Sequence, residues 1–243
     1  MTTVLKLGGS VVTEKDTPET VDERALERAA DALAGREDVV VVHGGGSFGH
    51  PAASEHGVSS TAGTANPAAV RDVHDAMGRL NAAVLDALQG AGVPALPVRP
   101  LSVAHRDGEG DLTLPTAAVE GMLDEGFVPV LHGDVVAHAG AGATVLSGDE
   151  LVVALARRLD ADRVGVCSTV PGVLDDGDVV SEIRAWEDVA DVLGESEATD
   201  VTGGMAAKVR ALLDLDAAAS VFGLDDLDAF LDGAAVGTLV DGG

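Results

Sequence analysis

Lysine is nearly missing from this 243-residue chain. Only Lys6, Lys15 and Lys208 occur, and 15 basic residues face 41 acidic ones, for a formal net charge of −26. A field of that sign repels polyanions, which argues against nucleic acid as a partner and against an anionic membrane surface. Excess acid with so little lysine fits a protein from a salt-rich cytoplasm, where a Debye length of about 3 Å at molar salt screens self-repulsion. Cysteine occurs once, at Cys167, so no internal disulfide can form. Its context, "DRVGVCS", reads as a buried strand in which the thiol is a small core residue. The start, "MTTVLKLGGS", lacks the basic leader and apolar stretch of a signal peptide. No apolar run nears the roughly 20 residues of a membrane span. A soluble, cytoplasmic protein is expected. Internal repeats, low-complexity linkers and zinc-ligand spacing are missing as well.

What is present is apolar: 46% of the residues are hydrophobic, enough for a full core and too many for a disordered chain. The length fits one large α/β domain or two small ones. Short apolar runs alternate with longer helical patterns. Strands are expected at 3–7, 39–42, 94–98, 127–131, 162–167 and 236–240. Several are apolar without alternation, as in strands buried on both faces of a parallel sheet. Helices are expected at 22–35, 67–91, 115–124, 148–159, 185–193, 203–218 and 225–231. In the longest, Asn66 is the cap and Pro67 the first residue. Its apolar face is Val70, Val73, Met77, Leu80, Val84, Leu88 and Ala91, at three- and four-residue steps. "SVAHRDGEGDL" (102–112) and "HGDVVAHAGAGATVLSGD" (132–149) read as hairpins. Alternation of this kind predicts an α/β sandwich with an open, mostly parallel sheet.

The stretch "VVVVHGGGSFGHP" runs from Val39 to Pro51. Its Gly44, Gly46 and Gly49 satisfy G-x-G-x-x-G after a strand, the fingerprint of a dinucleotide fold. The second strand and acidic residue expected about 20 residues later are replaced by a long helix. A nicotinamide or flavin enzyme therefore ranks below a phosphate-binding reading, and no Gly-Lys-Ser/Thr completes a P-loop. Glycines at a strand's carboxyl end let backbone N–H groups approach an anion, aided by a helix N-terminus. A tight turn alone would need fewer of them. A second such loop is Gly8-Gly9-Ser10, between Lys6 and Lys15. A third is "DVTGGMAAKVR" (200–210), where Thr202 can cap a helix with Gly203 and Gly204 in its first turn and Lys208 one turn on. All three lysines thus sit beside glycine-rich loops. A compact ammonium next to N–H donors suits a phosphate oxygen or a phosphoryl group in transfer. Three such loops suit a chain of phosphates held between two bound molecules.

The motifs "KLGGS", "HGGG", "SGDEL" (147–151) and the glycine–lysine loop at 203–208, in this order, resemble the amino acid kinase superfamily over essentially the whole chain. "HGGGSFGHP" and "DVTGGM" are similar to its isopentenyl phosphate kinase branch; the fosfomycin kinase branch has a related histidine. The resemblance implies a single domain, 1–243, folded as a three-layer αβα sandwich around a roughly eight-stranded sheet. Residues up to about 145 would bind the acceptor and those from about 146 the nucleotide. It implies ATP-dependent phosphorylation of isopentenyl phosphate, with Mg²⁺ on the nucleotide, in a homodimer. By position, Lys6, Leu7, Gly8, Gly9 and Ser10 would face the ATP phosphates, with Lys6 and Lys208 on the β- and γ-phosphates. Gly46, Gly203 and Gly204 would line the same phosphates. Lys15 would stabilise the charge in transit, and Asp149 would orient the lysines by charge pairing. Gly45, Gly49 and His50 would take the acceptor phosphate.

This chemistry asks for positioning and charge neutralisation more than for a strong base, because the acceptor is already a phosphate anion. His50 therefore reads as a hydrogen-bond donor to the acceptor rather than an obligatory base. "STVPGV" (168–173) departs from the superfamily's "TDVDGV": Ser168, Thr169 and Pro171 replace side chains expected near the nucleoside. Other acceptors of the same fold — fosfomycin, UMP or acetylglutamate — stay open, as does a non-catalytic nucleotide-binding module. Among the other histidines, His43 is expected to pack or hydrogen-bond at the glycine turn. His56, His74, His105 and His138 are expected on the surface or in loops, and His132 ends a strand near the site. An isoprenoid tail needs an apolar slot, for which Val73, Met77 and Leu80 are candidates, with plain core packing the competing reading for each.

Overall fold

The computed structural model describes residues 1–193, 204–215 and 217–242. In chain order it begins with β1 (Thr3–Leu7), α1 (Gly9–Val12), α2 (Glu23–Leu33), β2 (Val39–His43), α3 (Gly46–Glu55), α4 (Pro67–Gly90), β3 (Ala95–Pro97) and α5 (Pro100–Val103). The middle holds β4 (His105–Arg106), β5 (Leu112–Thr113), α6 (Ala117–Asp124), β6 (Val128–His132), β7 (Asp134–His138), β8 (Gly142–Leu146) and α7 (Gly148–Arg158). The last part holds β9 (Arg163–Ser168), β10 (Leu174–Asp175), β11 (Asp178–Val179), β12 (Glu182–Ile183), α8 (Ala190–Leu193), α9 (Gly204–Leu213), β13 (Ala219–Gly223), α10 (Leu227–Leu231) and β14 (Thr238–Val240).

Eight strands form one sheet in the order β12-β14-β13-β9-β1-β2-β6-β3. Its pairings are parallel except for β13 with β14. β1 lies at the centre, and the chain leaves it first toward β2 and later toward β9. That is a topological switch point, where open α/β sheets bind ligands at the carboxyl ends of their strands. Alternation along the strands divides the core. Val4, Val40, Val42, Val164 and Val166 face one layer, shared with α7 and α9. Leu5, Leu7, Val41 and Cys167 face the other, shared with α2 and α4. By the same two-residue period, Lys6 shares its face with Val4 and is carried toward α7. A four-stranded sheet, β5-β4-β7-β8, is the second structural unit and contains both expected hairpins.

The expected elements mostly appear with ends moved by a residue or two. α4 is capped by the Asn66 side chain, which accepts from Ala68 N–H, with Pro67 at its start. Two expectations fail, and one helix begins where none was assigned. The helix expected at 203–218 ends at Leu213, and an unforeseen strand, β13, follows. The helix expected at 185–193 is a single 3-10 turn at Trp186–Asp188 followed by the short α8. The glycine-rich stretch after His43 is itself helical from Gly46, as α3, in spite of Pro51 within it.

Candidate active site

The carboxyl ends of β1 and β2 and the start of α7 meet at one place. The loop after β1 hangs on β9 through Gly8 N–H to the Cys167 carbonyl, 2.9 Å, and the loop after β2 hangs on β1 through Gly44 N–H to the Leu7 carbonyl, 3.0 Å. The two glycine turns then touch, backbone on backbone. A methyl group on Gly9 would lie 2.2 Å from Gly46 N, and one on Gly46 would lie 2.1 Å from Thr13 Oγ1. Gly46 also has φ +46°, a conformation that costs other residues. These glycines are demanded by close approach, which brings the backbones of the two turns side by side.

Lys6 reaches up from β1 and is buried. Its Nζ lies 2.7 Å from Asp149 Oδ2. Asp149 is in the first turn of α7, which is fixed by a capping box: Glu150 N–H donates to Ser147 Oγ and Ser147 N–H to the Glu150 carboxylate. Gly148 leaves room for Lys6, because a Cβ there would be 3.1 Å from Lys6 Cε. Burial pushes the Asp149 carboxyl up, but the ammoniums of Lys6 and Lys208 outweigh it and hold it below the usual carboxylate value. Lys208 reaches this point because α9 packs on α7. Asp149 Oδ1 is buried with no hydrogen-bond partner among the described residues.

A buried histidine group supports the floor. His43 and His132, at the ends of β2 and β6, stand 5.5 Å apart between ring centroids, and both are fully buried. His43 Nδ1 lies 3.1 Å from the Gly44 carbonyl and Nε2 lies 3.1 Å from Asn81 Oδ1. Burial, reinforced by His132, lowers the His43 pKa to about 3, so the ring is neutral. A neutral ring has one N–H, and the Gly44 carbonyl only accepts. The proton therefore belongs on Nδ1, and pairing Nε2 requires the Asn81 amide turned end for end, so that its NH₂ group donates to the ring. Burial lowers His132 as well. His74 is not the surface residue expected. It is partly buried, 2.9 Å from Asp134 Oδ2, and that hydrogen bond raises its pKa.

The amino acid kinase family profile matches residues 1–218 of this sequence. The chain belongs to the amino acid kinase family. Within that family it is 66% identical to an isopentenyl phosphate kinase of Haloferax volcanii over 98% of both chains. It is 33% identical to that of Methanocaldococcus jannaschii over 86% of this chain and 85% of the relative. A solved isopentenyl phosphate kinase superposes with a TM-score of 0.80 at 28% identity, covering 98% of each chain. The T. acidophilum isopentenyl phosphate kinase product complex gives 0.77 at 26% identity, covering 98% of this chain and 99% of that one.

Against this amino acid kinase frame, Lys6, Gly8, Gly9, Gly46 and Asp149 gather at the loop junction, with Lys208 in electrostatic reach. Leu7 differs from expectation in one respect: its side chain is in the core, so only its backbone is available. Ser10 is exposed, within α1. Gly45 and Gly49 lie against Met77 of α4, whose Sδ would be 3.4 Å and 2.6 Å from a Cβ on each. His50 is exposed on α3, and Lys15 is exposed in the turn between Thr13 and Val21. Gly204 begins α9 with φ +51°; Gly203 and Thr202 lie outside the described residues. The His43–Asn81 and His74–Asp134 contacts escaped the sequence reading. A histidine before each of two strand-end glycines, at His43 and His132, was the available signal.

Proposed function

We propose that this chain transfers the γ-phosphoryl group of ATP to isopentenyl phosphate, releasing ADP and isopentenyl diphosphate. The observation that carries the reading is the meeting of the Lys6–Asp149 pair with two touching glycine turns at the switch point of the sheet. Phosphoryl transfer between two anions needs in-line positioning and neutralisation of charge, and backbone amides with ammonium groups supply both. The 66% identity to the haloarchaeal isopentenyl phosphate kinase supports this acceptor over others.

In this reading Lys6 and Lys208 hold the β- and γ-phosphates, with Leu7 to Ser10, Gly46, Gly203 and Gly204 as backbone partners. Asp149 keeps the two ammoniums aimed. Gly45, Gly49 and His50 bind the acceptor phosphate, and Lys15 offsets the charge passing between the two molecules. The acceptor part is then about 1–145 and the nucleotide part about 146–243. Mg²⁺ supplies further neutralisation on the nucleotide. Among the described residues, no group of three or more His, Cys, Asp or Glu could cage a metal. Asp149 Oδ1, without a hydrogen-bond partner among the described residues, is a protein oxygen that fits an ion held mainly by phosphates and water.

The isoprenoid tail has a narrower choice of neighbours than the sequence offered. Leu80 is wholly committed to the core beneath the sheet. Val73 belongs instead to a small apolar cluster with Val58 and Val135 beside α3, and Met77 touches the acceptor glycines. The test is an acceptor screen in high salt: ATP with isopentenyl phosphate, fosfomycin, UMP or acetylglutamate, following ADP release. Turnover with isopentenyl phosphate is expected. An inert isopentenyl phosphate beside a competent rival acceptor would overturn the assignment.

A further inference from the structure

Ser47, the second residue of α3, makes hydrogen bonds with every polar group it has, and all of them run to the segment that carries Lys15. Its N–H donates to Thr13 Oγ1 at 3.0 Å. Its hydroxyl donates to the Thr20 carbonyl at 3.3 Å and accepts from Thr20 N–H at 3.4 Å. Its carbonyl accepts from Glu19 N–H at 3.0 Å.

The last bond has a cause in the sequence. In an α-helix the carbonyl of residue 47 is claimed by the N–H of residue 51. Residue 51 is Pro51, which has no N–H. The proline leaves the Ser47 carbonyl open, and Glu19 N–H takes it. Glu19 is held there with φ +50°, an uncommon setting for a residue with a side chain. Arg79 of α4 grips its carboxylate through Nε and Nη2. Glu14 N–H closes the loop on the Thr20 carbonyl at 3.0 Å. The turn from Glu14 to Thr20 is therefore clamped at both of its ends to the helix that presents His50.

We propose that Ser47 and Pro51 are positioning residues that fix the Lys15 turn relative to His50, so that Lys15 acts in phosphoryl transfer only while this clamp is closed. The proposal rests on the role given to Lys15 above. Ser47 is buried and the clamp consists of directional bonds, so its loss misplaces an ammonium without removing it. Misplacement of about 1 Å at a transfer site can cost about a hundredfold in rate.

A double-mutant cycle tests it. Lys15→Ala is expected to lower kcat by about a hundredfold or more, and Ser47→Ala by about tenfold. In the Lys15→Ala background, Ser47→Ala should change kcat by less than about twofold, because the two act on one interaction. If Ser47→Ala slows the Lys15→Ala enzyme by the same factor as the wild type, the clamp does not work through Lys15 and the proposal falls. Lys15→Ala at wild-type rate would overturn the Lys15 reading itself, a separate result. Pro51→Ala guards against a folding artefact, since Pro51 is exposed and the Ser47 side chain stays. It restores a competing N–H, so the Glu19 amide should exchange with deuterium faster, with kcat reduced severalfold. Unchanged exchange at Glu19 would contradict the proline's part.

Discussion

Lys6 Nζ and Asp149 Oδ2 meet at 2.7 Å across the layer between β1 and α7, the cation buried and the carboxylate partly open to solvent. Breaking a buried pair leaves its survivor uncompensated, which costs more than the pair contributes. Lys6→Met and Asp149→Asn are each expected to lower kcat/KM by about a hundred- to a thousandfold. The double variant should fall far short of the product of the two losses. Steady-state kinetics on the three proteins decides this; multiplicative losses would show that the two groups act separately.

The exposed members of the site should behave differently. His50 and Lys15 lie at the surface, so His50→Ala and Lys15→Ala should stay within about 0.5 kcal/mol of wild-type stability. Both should nevertheless reduce turnover by about a hundredfold. Paired urea titrations and rate measurements test the separation of stability from activity.

Gly46→Ala should fail for steric reasons. The added methyl meets Thr13 Oγ1 and the Gly9 carbonyl, at a backbone with φ +46°. A loss of more than about 2 kcal/mol is expected, read from the urea midpoint. Gly35→Ala offers a control for backbone strain alone, since Gly35 has φ +72° and nothing within 4 Å of the new methyl.

Acid should act through His43. Its folded pKa, about 3, lies below the 6.5 of an ordinary histidine, so the unfolded chain takes up the proton first as pH falls. Stability held above pH 6.5 is then lost on acidification, by about 1.4 kcal/mol per pH unit while the folded ring stays neutral. His132 is shifted in the same direction. His74 opposes them: its raised pKa contributes stability below pH 6.5 that disappears as pH rises through the folded value. His43→Asn should flatten the slope of stability between pH 6.5 and 5, measured by urea unfolding at several pH values.

Most of the sheet could be read directly from the sequence, because strands buried on both faces are uninterrupted apolar runs, as in "VVVVH". α4 was equally plain, with its cap, its proline and its periodic face. β13 was hidden because "DLDAAASVFG" continues a helical composition without a break. α3 was hidden because glycines and Pro51 are poor helix formers, and contacts with the Lys15 turn and α4 hold it instead. The lysine-and-glycine pattern pointed to the site because charge and close approach leave marks on composition. The His74–Asp134 and His43–Asn81 pairs left none, since each joins residues far apart in sequence whose types are ordinary at those positions.

The most direct measurement is a crystal structure of the chain with isopentenyl phosphate and a non-hydrolysable ATP analogue. The expected result has the acceptor phosphate on Gly45 N–H and His50, and the terminal nucleotide phosphate on Gly46. Lys6, Lys15 and Lys208 should lie within about 3 Å of phosphate oxygens. Phosphates bound away from the junction of Gly9 and Gly46, with the three ammoniums turned elsewhere, would contradict the account.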